Sequence, residues 1–364
     1  MNRCVCVYPD KKNDYSIKDY LHLAKKYHMN EVFTSVHLPE FTMSEQLHFL
    51  QQVAEAAKDE ELELTVDIGG PFIKQALENE SFMNLLKNAK IAYLRMDYGY
   101  SFEQLQKLYH ALNLKGFVIN ASMYTKQQVQ QHLKFFYSLD ANIQIKACHN
   151  FYVREESGLD QDFALSQSSI FEEFNIPVYY CVPSYDHPRG PLHLGLPTIE
   201  AHRWMPLDFV LMDLTCTYHA QNLMFSDEWM SEKTLQLIDE VLVNKEIKIP
   251  VILKENITET EMRIILRKHI FRYDSNKNFL RSRSSREMAE YASVLEAKNT
   301  HARPKGSITI DNERYLRYSG ELQVVMQDAD ADSRVNISAS LKNINDLQKL
   351  SFFREGYSYT FYIE

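Results

Sequence analysis

Glycine is scarce, at 10 of 364 residues. Neither GxGxxG nor GxxxxGK[ST] occurs, which argues against the Gly-rich phosphate loops of Rossmann and P-loop nucleotide sites. No apolar run approaches the roughly 18 to 20 residues of a membrane-spanning helix. The N-terminal segment, with Pro9 soon after a short apolar stretch, shows no cleavable signal pattern. Cysteines are few and odd in number: Cys4, Cys6, Cys148, Cys181 and Cys216. They are scattered and mostly inside apolar runs, so they read as reduced core thiols of a cytoplasmic protein. HxH and HExxH spacings are also missing, although His149, His187, His193, His202 and His219 crowd the middle of the chain. Cys148 and His149 alternate along a strand and cannot chelate one ion together. No metal and no cofactor is expected.

The apolar fraction of 45% and charged fraction of 24% are globular values and exclude a disordered chain. Net charge is -9, from 49 acidic against 40 basic residues, a surface that repels nucleic acid and anionic membrane. The locally basic stretch 263–286 is interleaved with apolar residues and reads as a solvated helix and loop.

Short β-type runs, rich in Val, Ile, Tyr and Cys, lie at 4–8, 32–36, 62–67, 93–96, 116–119, 143–148, 178–182 and 209–212. They are mostly unalternating, as for strands buried on both faces of a parallel sheet. Between them, 15–27, 46–58, 102–112, 126–136, 160–174 and 227–243 place apolar residues at helical spacing, with Ser101, Thr125 and Ser226 as candidate caps. Eight strand–helix units over about 245 residues predict an α/β chain whose residues 1–250 form a (β/α)8 TIM barrel. An open doubly wound sheet is the alternative. From 251 to 364 the pattern changes to a charged helical stretch at 258–269, a basic serine-rich loop at 281–286, and antiparallel-looking runs. Those runs, at 307–310, 315–318, 321–327, 335–340 and 357–363, predict a compact, β-rich second domain with a hairpin turn at Asp311, Asn312 and Glu313.

In a (β/α)8 barrel the chemistry lies at the C-terminal ends of the strands. Nearly every proposed strand ends in polar residues, among them Asp10, His37, Asp67, Arg95, Asp97, Asn120, His149, Asn150, Ser184 and Asp213. A mouth of carboxylates, amides and aromatic rings suits a polyhydroxylated ligand. Asp67 and Asp97 would stand on neighbouring strands, about 5 Å apart, the short separation of a retaining glycosidase. Glu200 is the other candidate carboxylate, with an ion pair to Arg203 three residues on as its structural alternative. Arg189, between two prolines in the loop after strand 7, is placed either to bind a phosphate or to brace its loop. A Schiff-base aldolase would want a lysine near a strand end, and strand 6 offers only Lys146, two residues before its end.

These residues carry a family resemblance. The segments CVCVYPD, EVFTSVHLPE, YLRMDYGYS, INAS, ACHNFYVREESGLD and RGPLHLGLPTIEAHR resemble, in order, signature blocks of the MupG-type 6-phospho-N-acetylmuramidases. RSRSSR at 281–286, GSITIDNERYLRYSGELQV at 306–324 and RVN at 334–336 extend the similarity over essentially the whole chain. The resemblance implies a TIM barrel followed by a cyclophilin-like β-barrel, the latter as a likeness of fold with no prolyl isomerase activity. It implies hydrolysis of a 6-phosphorylated N-acetylmuramyl–N-acetylglucosamine disaccharide in peptidoglycan recycling, in the cytoplasm. It carries over site positions Asp10, Asp97, Asn120, His149, Asn150, Tyr152, Arg189, Glu200, His202 and Arg203. Strand 8, read at Met212-Asp213-Leu214-Thr215, departs from the family's expected Gly-Asp-like turn. The alternatives are therefore a non-catalytic sugar-phosphate binding protein, or a sugar-phosphate isomerase or aldolase on the same fold.

Overall fold

The computed structural model describes residues 1–9, 16–96, 98–289 and 294–364. The chain divides into two compact units, Met1–Asp239 and Glu240–Glu364. In the first, eight parallel strands close into a barrel in sequence order. They are β1 (Asn2–Cys6), β2 (Glu31–Ser35), β3 (Glu63–Ile68), β4 (Tyr93–Met96), β5 (Gly116–Asn120), β6 (Gln144–Cys148), β7 (Val178–Val182) and β8 (Asn222–Phe225), and β8 pairs back onto β1. The helices are α1 (Ile17–Lys26), α2 (Met43–Asp59), α3 (Gly70–Glu78), α4 (Glu80–Asn88), α5 (Phe102–Leu112), α6 (Lys126–Leu139), α7 (Gln161–Glu172), α8 (Leu207–Cys216) and α9 (Glu232–Leu242).

Local chemistry accounts for the helix starts. Thr42, Ser101 and Thr125 each accept from the amide three residues on, while Glu45, Gln104 and Gln128 reach back to the cap amide. These reciprocal bonds satisfy amides that the first turn leaves orphaned. Two expectations fail here. Residues 209–212 belong to α8, not to a strand; a short, dense apolar run has no period that tells strand from helix. The eighth strand is Asn222–Phe225, so the departure from the family at strand 8 was read at the wrong segment. Ser226 does not cap α9, because its hydroxyl donates to the Val182 and Leu196 carbonyls; the Ser231 hydroxyl accepts from the Thr234 amide instead.

Alternate strand positions turn inward and fill the barrel with Cys4, Cys6, Tyr8, Phe33, Tyr93, Val118, Cys148, Tyr179, Cys181 and Met224. The N-terminal end is closed by charge. Lys146 Nζ lies 2.8 Å from Glu31 Oε1 and 3.3 Å from Glu63 Oε2, with the Tyr93 ring centroid 3.7 Å away. Tyr179 donates its hydroxyl to Glu31 Oε1 at 2.7 Å. Glu31 and Glu63 are the first residues of β2 and β3, so Lys146 is engaged at the end of the barrel away from the mouth. That placement removes it as a Schiff-base lysine at the mouth.

The second unit holds β9 (Glu246–Leu253), α10 (Glu259–Ile265), β10 (Lys268–His269), β11 (Phe279–Arg281), α11 (Ser285–Ala289), β12 (Ser307–Asp311), β13 (Leu322–Val325), β14 (Val335–Leu341), α12 (Leu347–Leu350) and β15 (Ser358–Ile363). The strands form one curled mixed sheet in the order β10-β15-β9-β14-β12-β13-β11, not a closed barrel. Residues Glu313–Tyr318 are 3-10 turns capped by Asn312, which corrects the strand expected at 315–318. No helix among the described residues is long and apolar enough to cross a membrane.

Two stability predictions follow from buried charge. Lys146→Met strands Glu31 without its cation, and unfolding in urea should show a loss of about 3–5 kcal/mol, largely recovered in Lys146→Met/Glu31→Gln. An unchanged single variant would refute the charged closure. In the second unit, burial, then the nearby Glu321, raises the Asp311 carboxyl from 3.8 to about 7. The folded state then binds this proton more tightly than the unfolded state. Its stabilising contribution is full below about pH 4 and is lost as pH rises toward 7. Thermal melts from pH 4 to 8 should therefore show wild type losing ground to Asp311→Asn; parallel profiles would contradict this.

Candidate active site

At the C-terminal ends of the strands lies a cavity of about 410 Å³, whose lining includes Tyr8, His37, Asp67, Arg95, Asn150 and Arg189. Strand register creates its polar floor. Asp67 and Arg95 are direct partners across β3 and β4, and Arg95 Nη1 donates to Asp67 Oδ1 at 2.9 Å. Arg95 Nη2 donates to Asn150 Oδ1 at 2.8 Å, and Asn120 Nδ2 donates to the same oxygen at 2.9 Å. His37 closes the near side, its Nε2 3.7 Å from Asp67 Oδ2 and its Nδ1 3.3 Å from the Asp67 carbonyl oxygen. Each group thereby holds its neighbour's orientation before any ligand arrives.

Arg189 differs from Arg95. Its guanidinium carbon sits 3.7 Å from the Tyr8 ring centroid and 5.7 Å from that of Phe151. Among the described residues it has no carboxylate within ion-pair distance and no side-chain hydrogen bond, yet it lines the cavity. A guanidinium held by a ring face keeps its charge and its fork of donors available to an anion.

The loop that carries Arg189 runs from the end of β7 to α8 and is fixed by two buried charges. Asp227, just after β8, accepts the amides of Ser184 (2.8 Å), Arg189 (3.0 Å) and Leu196 (3.3 Å). Burial raises its carboxyl to about 6, against the lowering pull of those three amides. Arg203, 1% exposed, donates to the carbonyls of Leu194, Gly195, Tyr152 and Arg154 and bidentately to Glu200 at 2.7 Å twice. Glu200 in turn accepts the amides of Glu156 (2.9 Å) and Gly158 (2.8 Å). A Cβ on Gly158 would meet the Glu200 amide nitrogen and carboxylate at 2.7 Å, which reserves the position for glycine. The Arg203 hydrogen bonds, outweighing burial, hold the Glu200 carboxyl down at about 2.

The residues expected from the sequence thus separate. Asp67, Asn150 and Arg189 line the cavity, and Asn120 backs it through Asn150. Asp10 and Asp97 lie outside the described residues. Glu200 and Arg203 form the loop brace, and both Glu200 oxygens are occupied. His202 pairs with Asp213 of α8, Nε2 to Oδ2 at 2.8 Å. His149 faces outward by strand alternation and bridges Ser122 Oγ (3.1 Å) to Ser168 Oγ of α7 (2.9 Å). Burial lowers its imidazole to about 3, the state of a neutral core histidine. Tyr152 is half-buried, with its amide and carbonyl tied to Pro197 and Arg203, and its side chain does not line the cavity. Arg95, His37, Tyr8 and Asp227 were missed as site residues. The first three stand at strand ends, where polar or aromatic character was already visible; Asp227 was hidden by the misplaced eighth strand. Among the described residues, no three His, Cys, Asp or Glu side chains converge to hold a metal ion.

In a closed parallel barrel, an arginine beside a carboxylate and paired amides at the C-terminal mouth stands where this fold carries its sites. The chain belongs to the 6-phospho-N-acetylmuramidase family: residues 4–240 match its N-terminal region and residues 247–362 its C-terminal region. It is also similar to the crystal structure of a conserved Enterococcus faecalis protein of unknown function, with 28% identity, a TM-score of 0.79, and coverage of 100% of this chain and 97% of that one. An uncharacterized Bacillus cereus protein shares the fold at 21% identity and a TM-score of 0.75, covering 99% of each chain. No curated protein matches the chain.

The Asp227 anchor can be tested directly. Asp227→Ala leaves three amides without their acceptor, at about 1–3 kcal/mol for each one that water does not reach. Hydrogen exchange at Ser184, Arg189 and Leu196 should quicken about tenfold or more, while β5 amides keep their protection. Unchanged exchange at those three amides would remove Asp227 as the anchor.

Proposed function

We propose that the chain is a glycosidase that hydrolyses the bond between the two sugars of a 6-phosphorylated N-acetylmuramyl–N-acetylglucosamine disaccharide, in cytoplasmic peptidoglycan recycling. Family membership supports the reaction class. The observation that carries the reading is Arg189, a guanidinium with no ion pair among the described residues, lining the same cavity as Asp67, Arg95 and Asn150. One side of the cavity suits a phosphate dianion and the other suits sugar hydroxyls and amides.

In this mechanism Arg189 takes the phosphate, and Asn150, held by Arg95 and Asn120, takes an amide or hydroxyl of the sugar. Hydrolysis needs a proton for the leaving oxygen and a second carboxylate to attack the anomeric carbon or to activate water. We assign these roles to Asp97 and Asp67. Asp97 follows Arg95 by two positions in the sequence, the spacing at which strand side chains share a face. Asp67 lines the cavity in contact with Arg95. Glu200 is left out because Arg203 and two amides occupy it. The likeness of the curled second sheet to cyclophilin is proposed as one of fold alone.

The test is an assay with the phosphorylated disaccharide and its dephosphorylated counterpart. Asp97→Asn should lower turnover about 10²- to 10⁴-fold. Arg189→Ala should raise KM for the phosphorylated substrate about 10- to 100-fold and leave the dephosphorylated one unaffected. Calorimetry showing tight binding without cleavage by wild type would instead favour a binding protein on the same fold. Equal KM changes on both substrates would remove Arg189 as the phosphate contact.

A further inference from the structure

The second unit carries a groove of about 560 Å³, the size range of small-molecule sites. One wall is a strand pair continuing past β10: Arg272 donates its amide to Arg281 O at 2.8 Å, and Arg283 donates its amide to Ile270 O at 2.9 Å. The other wall is the 3-10 turn Phe353–Glu355, closed by Gly356 in the left-handed region at φ 82°. Arg354 joins the walls, with Nε donating to Tyr273 O at 3.1 Å and Nη2 to Ser275 O at 3.0 Å. Its guanidinium carbon lies 4.7 Å from the Phe353 ring centroid and 5.6 Å from that of Tyr273. Carbonyl acceptors hold this arginine in place without cancelling its charge.

Arg283 is exposed and makes no side-chain hydrogen bond or ion pair among the described residues. Arg272 is bound bidentately to Asp274, at 2.9 and 2.7 Å. Among the described residues that line the groove, three guanidinium groups face one carboxylate, an excess of two positive charges on a chain whose net charge is -9. Phe271 and Phe353 are buried in the floor, while the Tyr273 ring at the rim is 75% exposed. The basic stretch read from the sequence as a solvated face contributes Arg272 and Arg283 to this groove.

We infer that the groove is a second anion site, for a phosphate monoester attached to a ring: the phosphate sits with Arg283 and Arg354, and the ring stacks on Tyr273. Two excess positive charges match the dianion, and the guanidinium fork matches its oxygens. The open aromatic face selects a ligand with a flat or apolar ring over free phosphate. A sugar phosphate and a nucleoside monophosphate share this chemistry. The inference stands apart from the glycosidase reading, because no residue of the groove belongs to the barrel.

Calorimetric titration of the full chain tests it, with Arg189→Ala as background to silence the barrel's own anion contact. The probes are N-acetylglucosamine 6-phosphate, adenosine monophosphate and inorganic phosphate. The Arg189→Ala chain should bind one equivalent of at least one monoester, and the tighter of the two identifies the source. Adding Arg283→Ala should weaken that binding about 10- to 100-fold. Tyr273→Ala should weaken the monoester and leave inorganic phosphate unchanged. Arg283 and Tyr273 are exposed, so thermal melting of both variants should match the background chain. Binding indifferent to Arg283→Ala, or no monoester binding to the Arg189→Ala chain at millimolar concentration, would overturn the inference.

Discussion

Arg203 and Asp227, a buried cation and a buried anion, hold the long loop between β7 and α8 by its backbone. Arg203 collects carbonyls from Leu194 and Gly195, and Asp227 collects amides from Ser184, Arg189 and Leu196. A loop normally gains mobility because its backbone groups bond to water. Here those groups bond to buried charges, and Arg189 reaches the cavity from the segment they hold. Arg203 also ties in Tyr152 and Arg154 and, through Glu200, Glu156 and Gly158. The loops after β6 and β7 thus become one wall.

The two ends of the barrel treat charge in opposite ways. At the N-terminal end Lys146, Glu31, Glu63 and Tyr179 satisfy one another. Such a closure leaves none of these groups over for a ligand. At the mouth, Arg95 and Asp67 satisfy each other while Arg189 rests on Tyr8. The asymmetry is what a binding site requires: a preorganised floor, and one cation that forms no ion pair among the described residues.

Much of the fold was legible because seven strands are short β-branched and aromatic runs followed by well-capped helices. The capping boxes at Ser101 and Thr125 are written in the sequence three residues apart from their partners. The eighth strand was not legible, because α8 is so apolar that its 209–212 segment mimics a buried strand. That single error also hid Asp227. The site was half legible: strand ends pointed to Asp67, Asn120, Asn150 and Arg189. What alternation alone could not rank was which polar residues face a ligand and which face the protein. Asn150 turns inward, while its neighbour His149 turns toward α7. Glu200, His202 and Arg203 sit in a block that resembles the family closely, yet they build the scaffold of the mouth. The ion pair between Glu200 and Arg203, legible from their spacing, is the contact that forms.

A crystal structure of the chain with a 6-phosphorylated amino-sugar product in the barrel tests the central claim most directly. The account predicts the phosphate about 3 Å from the Arg189 guanidinium nitrogens, with that guanidinium still on the Tyr8 ring and the sugar over Asp67 and Asn150. A product whose phosphate lies elsewhere in the cavity, with Arg189 contacting none of it, would contradict the account.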